Sequence, residues 1–549
     1  MDSPEKQTGV DATKIESVDV RSDGLSSTEL LSQARAGARQ QEHLTVRECM
    51  RAYPKAIAWS LLVSTAVIME GYDTILIGNF YAYPMFAQKY GSWDASTGNF
   101  QLSAAWQSGL SNAAGVGAFF GVLINGILVT RYGMKRVILG ALIVLSCFIF
   151  MTFFAPSAGV LLAGELLCGL PWGIFATIAP AYASEVLPIP LRVYLTSYTN
   201  MCFIIGQLIA AGVLDGLVNN HTQWSYRIPF AIQWIWPAFL FPLLCFCPES
   251  PWHLVRMQRY EEAEHSLRRL QNKSANIDVK QTLATIIHTN KLEVELSIGT
   301  TYWDCFRGFE RRRTEIACMA FAGQVFSGML FAYNATYFFE QIRLGTSKMY
   351  KLNVGGTALA LFGTLLCWFI LMPRLGRRTI YVTGAFVMGT ILLIIGVLEK
   401  WTAQKPVALA QAVLTLVWTF VFQLSIGQLG WSTPAEVGSS RLRQKTVCVA
   451  RNAYYIASVV GTEIETYSMN PTAWDLRGYT AFIWCGVCYL LFIWALFRYP
   501  ETKGRSFEAL DIMFAKGVNA RDFKGYEVDA YEEEEKGDVR KLSIAGRGH

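Results

Sequence analysis

Glu185-Val-Leu-Pro-Ile-Pro-Leu-Arg192 returns later in the chain as Glu436-Val-Gly-Ser-Ser-Arg-Leu-Arg443, with the same interval from glutamate to arginine. Two further landmarks repeat in the same order. Arg131-Tyr-Gly-Met-Lys-Arg136 is matched by Arg374-Leu-Gly-Arg-Arg378, and Pro248-Glu249-Ser250 by Pro500-Glu501-Thr502. Three matched landmarks make the molecule two copies of one unit. Between and around them lie twelve apolar runs, near residues 56–81, 104–129, 135–156, 158–183, 194–218, 228–247, 315–341, 352–373, 379–399, 406–433, 445–467 and 476–498. Each has about the 20 residues that a bilayer-spanning helix needs. The expectation is an all-α membrane protein of twelve transmembrane helices in two six-helix halves. Parallel halves that rock around a site near the bilayer midplane make a secondary transporter.

Composition agrees with that class. The 549 residues are 52% hydrophobic and 13% aromatic but only 16% charged, against about 25% charged in soluble domains. The charges gather in the first fifty residues, between Pro248 and Arg313, and after Pro500. The net charge of +6 therefore describes loops and tails and not a nucleic-acid surface. The chain divides into an N-terminal tail at 1–52, cytoplasmic and largely disordered, a first half at 53–247, a cytoplasmic helical linker at 248–314, a second half at 315–499 and a cytoplasmic C-terminal tail at 500–549. The amino terminus has no short apolar core followed by a small-residue cleavage site, so the first span is expected to act as its own insertion signal.

Twelve spans put both termini on one side. Arg131, Lys135, Arg136, Arg374, Arg377, Arg378, Arg441, Arg443 and Lys445 then fall inside, and Arg343, Lys348, Lys351, Lys400 and Lys405 outside. The long linker, with Arg268, Arg269 and the arginines at 311, 312 and 313, sets the choice toward cytoplasmic termini. The sequon Asn220-His221-Thr222 is then external and can carry a glycan, whereas Asn334-Ala335-Thr336 lies in a span. Most of the twelve cysteines sit in apolar runs, as buried small hydrophobes, and Cys485-x-x-Cys488 has no second pair with which to hold zinc. No nucleophile, metal or cofactor motif points to an enzyme.

The chemistry concentrates in Ile68-Met-Glu70-Gly-Tyr-Asp73-Thr-Ile-Leu-Ile-Gly78, which places two carboxylates inside the first apolar run. A charge at membrane depth costs about 3 kcal/mol on insertion scales, so it usually faces a wet cavity and handles ions or protons. Three residues apart on a helix, Glu70 and Asp73 share one face. The repeated Glu185/Arg192 and Glu436/Arg443 loops supply acid and base at the inner helix ends, where ion pairs between helices can close that side and break when it opens. Without that role they are solvated charges that fix topology.

These landmarks resemble the sugar porter family of the major facilitator superfamily, over nearly all of residues 50 to 510. Its loop signatures stand here as Arg374-x-Gly-Arg-Arg378, Glu185 with Arg192, Glu436 with Arg443, Pro248-Glu-Ser-Pro251 and Pro500-Glu-Thr-Lys-Gly504. Within the family, Glu70-Gly-Tyr-Asp-Thr74, Gly164-Glu-Leu-Leu-Cys-Gly-Leu-Pro-Trp-Gly173 and Tyr182-Ala-Ser-Glu185 look like the fungal maltose, or α-glucoside, permeases.

The resemblance implies proton-coupled import of an α-linked glucoside across a plasma membrane, by a monomer with no cofactor beyond the coupling proton. It places Asp73 at the proton-coupling aspartate of the first span. Glu165 stands where most such symporters have an arginine, so Arg451, the one basic residue well inside an apolar run, is expected to supply the countercharge. Asp73, Glu70, Glu165 and Arg451 are expected to form one charge cluster. All six histidines lie outside the spans, which leaves the proton to carboxylates.

The matching sugar-binding positions are Asn200, Gln207, Gln324 and Trp431, with Tyr333, Asn334, Asn452 and Tyr454 as nearby polar candidates. Amides that match hydroxyls and an aromatic platform suit a sugar, and ordinary interhelical hydrogen bonds are the alternative for each. Arg131, Arg377, Glu249 and Glu501 join Glu185, Arg192, Glu436 and Arg443 in the expected cytoplasmic gate. Departures from the family pattern, Gln324-Val325 for its paired glutamines, Leu330 for its asparagine, and Thr130 and Pro373 for its loop aspartates, favour a disaccharide over a monohexose. The competing readings are an uncoupled facilitator, an exporter of another sugar, polyol or metabolite, and a non-transporting sugar receptor. A receptor usually carries a long signalling tail, and the tail here is short, with an acidic run at residues 532–535.

Overall fold

The computed structural model describes residues 29, 31–37, 44–80, 84–94, 99–217, 220, 222–272, 278–295, 301–333, 346–402, 404–439, 441–469, 474 and 476–526. The first half consists of α1 (Pro54–Phe80), α2 (Ala104–Tyr132), α3 (Met134–Phe153), α4 (Ala158–Val186), α5 (Ile189–Leu217) and α6 (Trp224–Leu244). The second consists of α7 (Glu310–Ala332), α8 (Val354–Arg374), α9 (Arg377–Trp401), α10 (Pro406–Val437), α11 (Arg443–Met469) and α12 (Arg477–Arg498). Eleven of these are long and apolar enough to cross a membrane. The exception, α11, has 27 residues, but Lys445, Arg451, Glu463 and Glu465 interrupt its apolar windows. It packs between α2 and α7, where protein rather than lipid surrounds those charges. A short antiparallel ribbon, Ser92–Asp94 with Asn99–Gln101, joins α1 to α2 and is the one departure from an all-α fold among the described residues.

Helices in lipid gain little from hiding apolar surface from one another, so close backbone approach must hold them together. At the contact of α1 and α5, a side chain on Gly71 would strike the Phe203 carbonyl, and one on Gly206 would strike that of Ile68. The two glycines thus seat the acidic turn of α1 directly on α5. Three of the helices carry irregular features: a 3₁₀ turn at Thr65–Val67 precedes Glu70, Pro171 and Pro180 lie inside α4, and Ser425, at φ −134° and ψ −98°, divides α10.

Each half has its own core. Val137, Leu142, Trp172, Phe175 and Leu195 build the first, and Tyr381, Met388, Trp418, Phe422 and Trp484 the second. Phe321 and Trp431 of the second half pack into the core of the first, so the halves meet through aromatic rings.

The linker forms helices Pro251–Arg256, Tyr260–Leu270 and Val279–Glu295, and the C-terminal segment adds Phe507–Ala515. They cover one end of the bundle, the linker face. Ser250 caps the first of them, with Pro251 in its first turn, as the fixed φ of proline favours. Burial pushes the His253 imidazole down to about 4, with Arg256 adding to the effect.

Three boundaries differ from the sequence reading. The N-terminal tail is structured where it is described: Val46–Ala52 is helical, and Ala34 packs with Trp252, Leu267, Phe507 and Ile512. Helix α7 starts at Glu310 and not at 315, because Arg313 is fully buried rather than solvated. Its guanidinium pairs with Glu310 at 3.0 Å and with Asp511 of the C-terminal helix, and buried charge of this kind persists only when countered. Helix α5 likewise starts at Ile189 and takes Arg192 into its first turns.

Candidate functional site

Glu70 and Asp73 leave α1 in different directions. Three residues advance a helix by about 300°, so the two side chains stand about 60° apart, and that is enough to separate their neighbours. Glu70 faces the second half. Its Oε1 accepts from Arg451 Nη2 at 2.6 Å and from the Tyr455 hydroxyl at 2.9 Å. Arg451 is 1% exposed, and its guanidinium lies over the rings of Trp431, Tyr454, Tyr455 and Phe321 at 4.4, 4.3, 4.8 and 5.3 Å. A guanidinium desolvated among ring faces gains from their quadrupoles as well as from the carboxylate.

Asp73 faces inward, to its own half. Its Oδ1 accepts from Gln233 Nε2 of α6 at 2.9 Å, and its carboxyl lies within hydrogen-bonding reach of Glu165 on α4. Both Glu165 oxygens are buried with no hydrogen-bond donor among the described residues. Two carboxyls in contact at a buried site are compatible when one of them holds a proton. The expected single cluster of Asp73, Glu70, Glu165 and Arg451 is therefore two adjoining sites, and Arg451 serves Glu70 rather than Asp73. Gln233 and Tyr455 complete these sites, and nothing in the sequence singles them out. Both are ordinary polar residues within apolar runs, and only packing shows which way they face.

The sugar-binding candidates gather along the contact of the halves. Asn200 of α5 donates to Gln423 Oε1 of α10 at 2.7 Å, a bond between the halves. Gln324 Nε2 donates to the Gly427 carbonyl at 3.0 Å. The Trp431 ring stands 5.4 Å from Phe321 and 6.4 Å from Phe203, and so touches both halves. Gln207 Nε2 and Asn452 Oδ1 are buried without a partner among the described residues. Unpaired amide atoms beside an aromatic platform are what a hydroxyl-rich ligand can satisfy. Tyr454 lies in the ring cage of Arg451. Asn334 and the Tyr333 side chain lie outside the described residues. Asn200, Gln207, Gln324, Trp431 and Asn452 are all buried, so in this conformer the halves are closed upon one another at this level.

At the linker face the two repeated acids pair differently, Glu185 across the molecule and Glu436 within its own half. Glu185 lies 3.5 Å from Arg443 of the other half, 3.3 Å from Arg256 of the linker, and accepts from the Ser250 hydroxyl. Glu436 lies 3.8 Å from Arg377 and accepts from the Thr502 hydroxyl at 2.8 Å. Arg192 and Arg443, one from each half, stand over the Phe507 ring at 3.8 and 3.7 Å. The repeat survives in Glu249 and Glu501. Glu249 accepts from the Met134 and Lys135 amides at the start of α3, and Glu501 from the Arg377 and Arg378 amides at the start of α9. Carboxylates at helix N-termini complement the free amides and the dipole. Burial pushes the Glu249 carboxyl above the ordinary carboxylate range. Arg131 is exposed, over its neighbour Tyr132, outside this network. Lys445 instead ties the same turn to α11, donating to the Thr130 hydroxyl at 2.9 Å. The opposite face is also joined, because Glu463 of α11 accepts from Asn112 of α2 at 2.8 Å and from Ser108.

Comparison with known proteins matches residues 59–514 to the profile of a family described as "Sugar (and other) transporter". The maltose permease MAL31 of Saccharomyces cerevisiae is 37% identical over 509 residues, which is 92% of this chain and 83% of that protein. The alpha-glucosides permease MPH3 of the same species is 35% identical over 548 residues, 97% of this chain and 90% of that protein. Among solved structures, the proton:xylose symporter XylE bound to 6-bromo-6-deoxy-D-glucose superposes with a TM-score of 0.73 at 20% identity, covering 84% of this chain and 99% of that one. That likeness extends to the fold, in which twelve helices form two six-helix halves. The chain is a multi-pass membrane transporter and belongs to the sugar (and other) transporter family.

Proposed function

We propose that the protein imports an α-glucoside such as maltose together with a proton, by alternating access, across the plasma membrane and with the linker face in the cytoplasm. The observation that carries this reading is the division of labour on α1. Glu70 is tied to Arg451 of the other half, while Asp73 shares a buried site with Glu165, in a chain akin to maltose and alpha-glucoside permeases.

In this mechanism a proton entering from outside is held by the Asp73–Glu165 pair, and the Glu70–Arg451 contact reports the state of α1 to the aromatic wall of the sugar site. Trp431 and the amides of Asn200, Gln207, Gln324 and Asn452 receive the sugar when the halves part. The outer face then closes, through contacts such as Glu463 with Asn112. Release needs the Glu185–Arg443 pair, which joins the two halves, to break on the cytoplasmic side. Each coupled charge gains about 2.3 kcal/mol per 100 mV of membrane potential, enough to concentrate sugar tens of fold.

The protein works as a monomer without a cofactor, and Asn220, whose side chain accepts from the Thr222 amide at 3.1 Å in the outer loop, receives a glycan. Uptake of a panel of labelled mono- and disaccharides by cells without permeases of their own tests the reading. Maltose and related α-glucosides are expected to enter and to make the medium more alkaline as they do. Uptake confined to monohexoses, or sugar entry with no proton movement, would contradict it.

A further inference from the structure

Glu465 takes no part in the sites above, and its surroundings are poor in charge. It lies near the end of α11 remote from the linker face, 1% exposed, and no cation pairs with it among the described residues. Its Oε2 accepts from the Trp484 indole of α12 at 2.5 Å, and its Oε1 has no partner there. One turn nearer that end on each helix stand Ser468 and Thr480, both fully buried, with hydroxyl oxygens also unpaired among the described residues. The other charged or titratable groups at this end form no bond with Glu465 among those residues. Glu463 turns to Ser108 and Asn112 of α2, Arg477 has partners of its own, Tyr479 stacks on Phe482, and Cys485 follows Trp484 along α12.

A carboxylate with one neutral donor is a costly occupant of a packed interior, whereas the neutral carboxyl is not. The wall beside it is also divided. Helix α7 breaks at Ser327 and Gly328, the glycine at φ +96°, and resumes as the five residues Met329–Tyr333, which pack on both α11 and α12. Gly461, one turn before Glu465, admits this segment: a side chain there would meet Leu330 at 2.6 Å and the Trp484 ring at 3.0 Å. A single turn beyond a glycine break is an element that can open locally without the rest of the helix. We propose that Glu465 is a second protonation site, in the second half, which exchanges its proton with the outer solution. Holding a proton, it lets Met329–Tyr333 pack over it and the outer face close. Giving that proton to water leaves a carboxylate, which draws solvent in past Ser468 and Thr480 and holds the segment off. Glu465 is thus a positioning residue that acts through α7 and touches no sugar. The inference rests on the reading proposed above only for which face is the outer one.

The full-length protein in nanodiscs, without sugar, is followed by hydrogen exchange at Met329–Tyr333 from about pH 5 to about pH 9, corrected for the intrinsic pH dependence of exchange. Protection in wild type is expected to fall about tenfold or more as pH rises across that range, and Glu465→Gln, always neutral, to keep the acid-side value throughout. Glu465→Asp retains an acid and should retain the fall. A flat wild-type profile, or a fall that persists in Glu465→Gln, overturns the proposal; the second result would give the titration to another group, such as the Asp73–Glu165 pair. Should Glu465→Gln fail to fold, Trp484→Phe decides by the same measurement. Loss of the indole donor disfavours the carboxylate, so the fall should move to higher pH by about one unit, and an unmoved profile overturns the proposal. Because the measurement uses neither sugar nor a gradient, failure here leaves the symport reading untouched, and the converse holds as well.

Discussion

Glu70 and Arg451 hold opposite charges at membrane depth, and their contact offsets the cost that each would carry there alone. Arg451→Gln leaves Glu70 desolvated without its countercharge, and breaking a buried pair in this way costs about 3–5 kcal/mol. Glu70→Gln is expected to be milder, because the four rings still surround Arg451. Thermal unfolding of both single variants and the double variant closes the cycle. The double variant should recover part of the loss caused by Arg451→Gln, whereas additive losses would mean that the two groups are not coupled. Both residues are legible in the sequence, since a charge in an apolar run stands out whatever the fold. Their pairing is not. Whether Arg451 reaches Glu70 or Asp73 depends on the turn of α1 and on Gly71 seating it against α5, and spacing along the chain does not carry that information.

Helix Pro251–Arg256 shows the same limit for elements. That the linker is helical is legible in the sequence, but the burial of this helix under the C-terminal helix is not. His253, neutral in the docked helix with a pKa near 4, returns to the ordinary value of about 6.5 when the helix comes free. The undocked state therefore binds the extra proton between those values, and acid favours it. Docking is expected to be full above about pH 6.5 and to weaken progressively toward pH 4. Hydrogen exchange across Pro251–Arg256 and Val279–Glu295 as pH falls reads this directly. His253→Gln should flatten the profile, and an unchanged profile would assign the effect to other groups. The start of helix α7 is hidden in the sequence for a related reason. Arg311, Arg312 and Arg313 read as a solvated loop because Asp511, the counterion of Arg313, lies far away along the chain. Helix α11 is legible in spite of its charges because the repeat demands a span there.

For the whole molecule, the repeat is the legible part, and it carries the two-half architecture. The contacts between halves are hidden from it, because internal repetition says how each half is built and nothing of how they face each other. The described conformer joins them at three levels: Glu463 with Asn112 near one face, Glu70 with Arg451 midway, and Glu185 with Arg443 at the linker face. The proposed alternating access requires the levels at the two faces to part in turn, and the proposed mechanism gives that choice to the acids of α1. The decisive measurement is maltose movement in proteoliposomes of wild type and Asp73→Asn, driven by an imposed pH gradient and, separately, by counterflow of maltose alone. The account predicts that Asp73→Asn keeps counterflow and loses gradient-driven accumulation. An Asp73→Asn protein that still concentrates maltose on a pH gradient as wild type does would contradict it.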